Sequence, residues 1–114
     1  MVNKWEIYFC SLDPTEGSEQ KGTRPVLVVS TNSVNHNLPV STVLPISSIK
    51  EGSKIYPSEV IMPTEISGLP KLSVAMVQQI RTISHQRLKN KVSTVTDVET
   101  REKISQAIAD YFDL

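Results

Sequence analysis

Apolar and polar positions along the chain sort into short strand-like runs separated by breaker-rich connections, with one helix at the end. Lys4–Cys10 (KWEIYFC) is rich in aromatic and β-branched residues and predicts a strand. Ser11–Thr23, with Pro14, Gly17 and Gly22, shows no apolar periodicity, and so long a connection in a small domain implies either a task or disorder. Arg24–Ser30 (RPVLVVS) is a nearly continuous apolar run, as expected of a strand buried on both faces, with Pro25 at its start because proline cannot donate to a ladder. Asn32–Pro39 reads as a polar turn region. Ser41–Ile46 predicts a strand bulged or at an edge near Pro45, and Ser47–Pro57 a mobile loop. Ser58–Met62 predicts a short strand, Pro63–Lys71 a connection, and Leu72–Ile83 one long strand. Ser84–Lys89 fits a helical turn and Lys91–Val95 a short strand. At the C-terminus Ile104, Ala107, Ile108 and Tyr111 recur at helical spacing, and Thr96 with Glu99 has the form of a capping box. The fold class this implies is mainly β (α+β): a strongly bent sheet or small barrel with a C-terminal helix, closure of which would hide strand edges.

Composition narrows the function. The 114 residues suffice for one domain, 1–114. Twelve Lys plus Arg balance twelve Asp plus Glu, which excludes a purely electrostatic polyanion binder. The balance is global and not local. Residues 71–91 carry Lys71, Arg81, Arg87, Lys89 and Lys91 without an acid, between acidic segments at 1–20 and 97–114. That asymmetry permits an anion-binding face, although charges spread for solubility alone give the same count. The lone Cys10 forms no intrachain disulfide and reads as a small buried hydrophobe, and two histidines with one cysteine do not make an ordinary structural zinc site. His36 and His85 read as incidental surface residues. No apolar run approaches the ~20 residues of a membrane span and no signal peptide opens the chain, so the expected location is the cytoplasm.

Candidate chemistry concentrates in Asp13–Pro25. Gly17 and Gly22 allow positive φ or close approach of a ligand, Glu19 is a carboxylate able to accept a proton, and Arg24 is a planar guanidinium at the junction of loop and buried strand, suited to forking onto a phosphate. The same stretch also reads as an exposed connection bearing a solvated acid and a surface ion pair.

The run Gly17-Ser18-Glu19-Gln20-Lys21-Gly22-Thr23-Arg24-Pro25 followed by Val26–Val29, preceded by Tyr8-Phe9 and Asp13-Pro14, resembles the signature of the MazF/PemK toxin family. The resemblance extends to Leu44-Pro45-Ile46-Ser47-Ser48, to Gln78–Ile83 and to the terminal helix, in the family's order and over nearly the whole chain. It implies an SH3-like β-barrel with a C-terminal helix, acting as a homodimer. It also implies a metal-independent endoribonuclease, without cofactor, that cuts single-stranded mRNA at short words to 2′,3′-cyclic phosphate and 5′-hydroxyl ends. The implied partner is a cognate antitoxin whose acidic, disordered tail occupies the RNA groove, with operator DNA bound only through that antitoxin. Among catalytic residues Arg24 is expected to stabilise the phosphorane and to donate a proton to the leaving oxygen. Ser47, where the family often has Thr, supplies a hydroxyl, and Glu19 orients Arg24 or takes the 2′ proton. Gln20, Lys54, Gln78, Gln79 and Arg81 are expected to bind RNA, with cross-strand packing the competing role for the glutamines. Trp5 and Phe9 are expected in the core or a dimer interface. A competing reading is a non-catalytic binding protein on the same barrel, either a CcdB-like gyrase poison or a degenerate member that binds antitoxin or DNA. The Arg24–Ser47 pair favours the nuclease.

Overall fold

The computed structural model describes residues 1–114. Seven antiparallel strands, β1 (Glu6–Ser11), β2 (Thr23–Val28), β3 (Val40–Ser48), β4 (Glu59–Met62), β5 (Ser73–Met76), β6 (Arg81–Ser84) and β7 (Leu88–Thr94), join three helices, α1 (Asn32–Asn37), α2 (Thr64–Ser67) and α3 (Val98–Tyr111). The sheet runs β4-β5-β3-β2-β1-β7, with β6 alongside the first half of β3. It is bent like a barrel but does not close, so β4 and β7 remain edges. β7 carries exposed Lys89 and Lys91, charges that discourage a further strand from adding.

β3 is the pivot. Val40–Val43 pair with β6, Ile46–Ser48 pair with β5, and the pairing with β2 ends at Val26–Pro45. Pro45 has no N–H to continue that ladder. The expected single strand over 72–83 is therefore two strands. β5 follows the second half of β3 and β6 the first, and the 3-10 turn Val77–Gln79 makes the step between them. The polar region at 32–39 holds α1, and the connection 63–71 holds α2, capped by Gly68 at φ 73°.

Alternation puts two apolar clusters on the two faces. Ile7, Leu27, Leu44 and Ile46 pack with Met62, Val77 and Ile104 of α3, while Cys10, Val26, Val28, Val43 and Ile83 form the second cluster. Each large side chain so buried contributes about 1.5–3 kcal/mol. Ala107 and Ile108 complete the α3 stripe against the first cluster, whereas Tyr111 stays half-exposed, edge-on to Phe112. The N-cap is Asp97 rather than Thr96. Its carboxylate accepts from the Thr100 N–H (3.0 Å) and hydroxyl (2.7 Å), so Thr100 fills the place expected of Glu99. Those two hydrogen bonds hold the Asp97 carboxyl below its ordinary range.

His85 is not incidental. Its Nε2 lies 2.7 Å from the hydroxyl of buried Ser41, which itself donates to Asn35 Oδ1, so the imidazole nitrogen is the donor in that contact. This network ties α1 to β3 and to the end of β6.

Glu6 on β1 is 5% exposed, yet its Oε1 accepts from the Asn3 N–H (2.6 Å) and the Tyr8 hydroxyl (2.9 Å), and Oε2 meets Lys91 Nζ at 2.7 Å. Burial pushes its carboxyl up, but the bonds from Lys91, Asn3 and Tyr8 together outweigh it and hold the pKa below the usual value. The Tyr8 hydroxyl is pushed up to about 12, by burial and then by the carboxylate it donates to. A lowered carboxyl stabilises the fold above its unfolded pKa, and that contribution is lost as pH falls through the folded value. A raised phenol does the reverse, its contribution disappearing as pH climbs from the ordinary 10.0 to about 12. Glu6→Ala leaves two donors unpaired and, with Lys91 already 47% exposed and adding little, should cost about 2 kcal/mol at neutral pH. Urea titrations at several pH values check this. The variant's stability should fall less steeply than wild type's below pH 4.5, and an unchanged acid slope would refute the assignment.

Candidate nucleic-acid interface

The connection from Leu12 to Gly22 is ordered by bonds from three directions. Arg81 Nη1 donates to Leu12 O (3.0 Å), and Arg87 Nη1 to Ser11 O (3.1 Å) and Asp13 O (2.6 Å). The neck closes through Leu12 N–H to Gly22 O (2.9 Å) and Gly22 N–H to Asp13 Oδ1 (3.1 Å), with Gly22 at φ 79°, a conformation other residues rarely adopt. At the far side Gln79 Oε1 accepts from the Gln20 N–H (3.2 Å), and Gln79 Nε2 donates to Ser18 O (3.1 Å). Two arginines and a glutamine from the basic segment thus hold the loop, which answers the choice between a task and disorder.

Arg24 stands where this loop enters β2. Its Nε donates to Lys21 O (3.1 Å), and no carboxylate lies in ion-pair contact with it, so the remaining N–H groups of the fork are available to an anion. Beyond the last ladder pair, Val26–Pro45, the two strands separate. Two residues further along each strand, Arg24 and Ser47 belong to the same face of the sheet as Val26 and Pro45. The mouth opened there contains a hollow of 250 Å³ lined by Arg24, Phe9, Thr23, Ser48 and Lys71. Ser47 lines an adjoining hollow of 150 Å³ with Lys54 and Glu59, and Ser48 is the wall common to both. The amine of Lys54 sits 5.4 Å from the centre of the Tyr56 ring.

The expected contact between Glu19 and Arg24 does not form. Glu19 Oε1 accepts from the Glu16 N–H (2.6 Å), which turns the carboxylate back onto its own loop, and Glu19 lines a third hollow, of 340 Å³, with Gln20, Gln78, Gln79 and Arg81. The five residues expected to bind RNA thus divide, four around that hollow and Lys54 beside Ser47.

Two residues at the mouth were not singled out for it by sequence. Phe9, expected in the core or an interface, is 38% exposed and lines the hollow of Arg24. Its place on β1 is the cause: Phe9 shares the face of Ile7, and on β1 and β2 the first cluster ends at the Ile7–Leu27 pair, two residues before Phe9 opposite Pro25. Lys71 lines the same hollow as a second cation, and the only signal for it was the acid-free run 71–91. Trp5, by contrast, packs on the first core cluster between the Lys4 amine and the Arg101 guanidinium. Positive charge surrounds the loop's base. Burial pushes the Cys10 thiol up, and Arg81, Arg87 and Lys89 pull against that shift. Nowhere do three His, Cys, Asp or Glu side chains converge, and no helix is long and apolar enough to cross a membrane.

Known proteins share the sequence pattern and the fold of this chain. Endoribonuclease EndoA of Bacillus subtilis (strain 168) is 35% identical over 108 residues, spanning 95% of this chain and 91% of the relative. The Mycobacterium tuberculosis toxin MazF-mt6 superposes with a TM-score of 0.76 at 26% identity, over 96% of this chain and 97% of its own. MazF from Deinococcus radiodurans has the same fold, with a TM-score of 0.81 at 19% identity over 99% and 97% of the two chains. The family model for the PemK-like, MazF-like toxin of type II toxin–antitoxin systems matches residues 3–112, and the chain belongs to that family.

Proposed function

We propose that the chain is an endoribonuclease that cuts single-stranded mRNA at short sequences, leaving a 2′,3′-cyclic phosphate and a 5′-hydroxyl. The observation that carries this reading is Arg24, anchored by one bond at the mouth between β2 and β3 with the rest of its fork unpaired. In such a cleavage the 2′-hydroxyl oxygen of the RNA attacks the adjacent phosphorus as its proton passes to water, and the bond from phosphorus to the 5′ oxygen breaks as that oxygen takes up a proton. The protein supplies neither nucleophile nor metal. Its work is to hold the phosphodiester in line and to meet the charge that grows on the phosphoryl oxygens. Arg24 meets that charge and protonates the departing oxygen, and the Ser47 hydroxyl adds a donor. A guanidinium offers donors and no acceptor, so Arg24 serves as donor and not as base. Glu19, held away from Arg24, belongs with the neighbouring hollow and a flanking nucleotide. The exposed face of Phe9 offers a plane on which a base beside the scissile phosphate stacks.

The remaining parts of the reading follow the family. The chain works as one domain, 1–114, in the cytoplasm and as a homodimer, for which α3 offers exposed Val98 and Tyr111 and its C-cap offers Phe112. An antitoxin with an acidic, disordered tail competes with RNA for the basic surface around Arg81, Arg87 and Lys89, and operator DNA is engaged only through that antitoxin. A solved mycobacterial endoribonuclease in complex with its cognate antitoxin has this fold, with a TM-score of 0.80 at 22% identity.

Digesting a long RNA with purified protein and sequencing the new 5′ ends tests the central claim. Cuts should recur at one short word, carry 5′-hydroxyls, and persist at the same rate in EDTA. Cleavage abolished by the chelator and restored by a divalent ion would reject the metal-independent mechanism.

A further inference from the structure

Lys21 O, the one group to which the Arg24 side chain is tied, belongs to the same peptide unit as the Gly22 N–H. That unit is trans, so its C=O and N–H point to opposite sides of one rigid plane. At the C=O end Arg24 Nε donates (3.1 Å), and at the N–H end Asp13 Oδ1 accepts (3.1 Å). Guanidinium and carboxylate thus grip the two ends of a single planar group, without an ion pair between them.

Asp13 is seated from three sides. Leu12 before it is fully buried in the second core cluster, Arg87 Nη1 donates to its carbonyl oxygen (2.6 Å), and the Thr15 hydroxyl donates to the same Oδ1 (3.3 Å). The Lys21–Gly22 unit has no such support of its own. Lys21 is exposed, and a Cβ on Gly22 would meet nothing within 4 Å, so the glycine serves its φ of 79° and not close packing. A glycine there is as free to turn the plane over as to keep it. A turned plane would present an N–H to the guanidinium where the carbonyl now stands, and Arg24 would lose its anchor. The Leu12 N–H fixes the following plane, at Gly22 O, and not this one. What holds this plane is the bond from its N–H to Asp13, which also polarises the amide and makes its oxygen the stronger acceptor.

We propose that Asp13 is a positioning residue for the cleavage: it sets the Lys21–Gly22 plane, and the plane aims the Arg24 fork into the mouth between β2 and β3. The inference rests on the endoribonuclease reading. Asp13 acts through the peptide and not on the RNA, and its place carries the role, not its charge. Only Oδ1 is engaged, so an amide oxygen at the same position serves as well, whereas a carboxylate one methylene further out displaces the plane.

Cleavage kinetics on an oligoribonucleotide containing the recognised word test this. Asp13→Ala should lower kcat about tenfold with KM within about twofold, because a misaimed donor is missed in the transition state more than in binding. Asp13→Asn should keep kcat within about threefold, a rescue that a role in charge does not predict. Asp13→Glu should fall with Asp13→Ala although its charge is that of wild type. In an Arg24→Ala background Asp13→Ala should slow cleavage less than about twofold further, since no fork is left to aim. In the protein without RNA, the Arg24 Nε–H should exchange with water about tenfold faster in Asp13→Ala than in wild type. If Asp13→Ala does not fold, the Asn and Glu variants decide. Any ranking other than Asn active and Glu impaired would overturn the proposal, as would equal losses from Asp13→Ala with and without Arg24. Wild type that cuts RNA, with Asp13→Ala at full rate, overturns this inference alone, and wild type that cuts no RNA at all overturns both readings together.

Discussion

Arg24→Ala should reduce cleavage about 10³-fold while the protein still folds. The expected loss is large because the guanidinium has no counter-charge in the molecule, and its free N–H groups face an otherwise unpaired mouth. Removing one preorganised donor from a developing oxyanion typically costs 10²–10³ in rate, and this side chain brings several donors together with its charge. The expected effect on folding is small for the same reason. Arg24 makes one side-chain bond, to Lys21 O, so its removal should cost no more than about 1 kcal/mol. Arg24→Lys keeps the charge but loses the fork and should recover only part of the rate. Single-turnover cleavage of a fluorescent oligoribonucleotide, with thermal unfolding of each variant alongside, separates the two effects. A variant that cuts within tenfold of wild type would remove Arg24 from the chemistry, and one that unfolds or loses its oligomeric state would make it a structural arginine.

The strands were largely legible because their residues carry local information. The run Arg24–Ser30 and the aromatic stretch before Ser11 form strands wherever they are buried, and Pro45 marks where a ladder must stop. What escaped depends on partners distant in sequence. Leu72–Ile83 has the composition of one strand, and it breaks only because β3 offers its two halves to different neighbours. Gln78 and Gln79 look like two free amides, and their donors and acceptors are consumed by groups 19 to 61 residues away. Glu19 and Arg24 are five places apart and of opposite charge, yet the loop's own N–H at Glu16 captures the carboxylate first. The helix cap moved by a single residue because Asp97 finds both donors of Thr100. Residue type thus named the groups present at the mouth, and only the fold says which of them are still unpaired when a ligand arrives.

That distinction bears on the two adjacent serines at the end of β3. Ser47 shares a face with Arg24 beyond the Val26–Pro45 pair, while Ser48 shares the hollow that Arg24 and Phe9 line. A hydroxyl that donates to a phosphoryl oxygen only as charge accumulates acts on kcat, whereas one that touches a flanking nucleotide in both ground and transition state acts on KM. Ser47→Ala is therefore expected to lower kcat by about 10²-fold with KM nearly unchanged. Ser48→Ala should raise KM severalfold and leave kcat within about threefold, the pattern of lost uniform binding. Ser47→Thr keeps the hydroxyl and should retain most of the rate, its methyl group restricting the rotamer. Steady-state kinetics on a short oligonucleotide containing the recognised word distinguish the two positions. The opposite pattern, with kcat falling in Ser48→Ala and KM rising in Ser47→Ala, would transfer the phosphate-facing role to Ser48 and put the scissile bond inside the hollow beside Phe9.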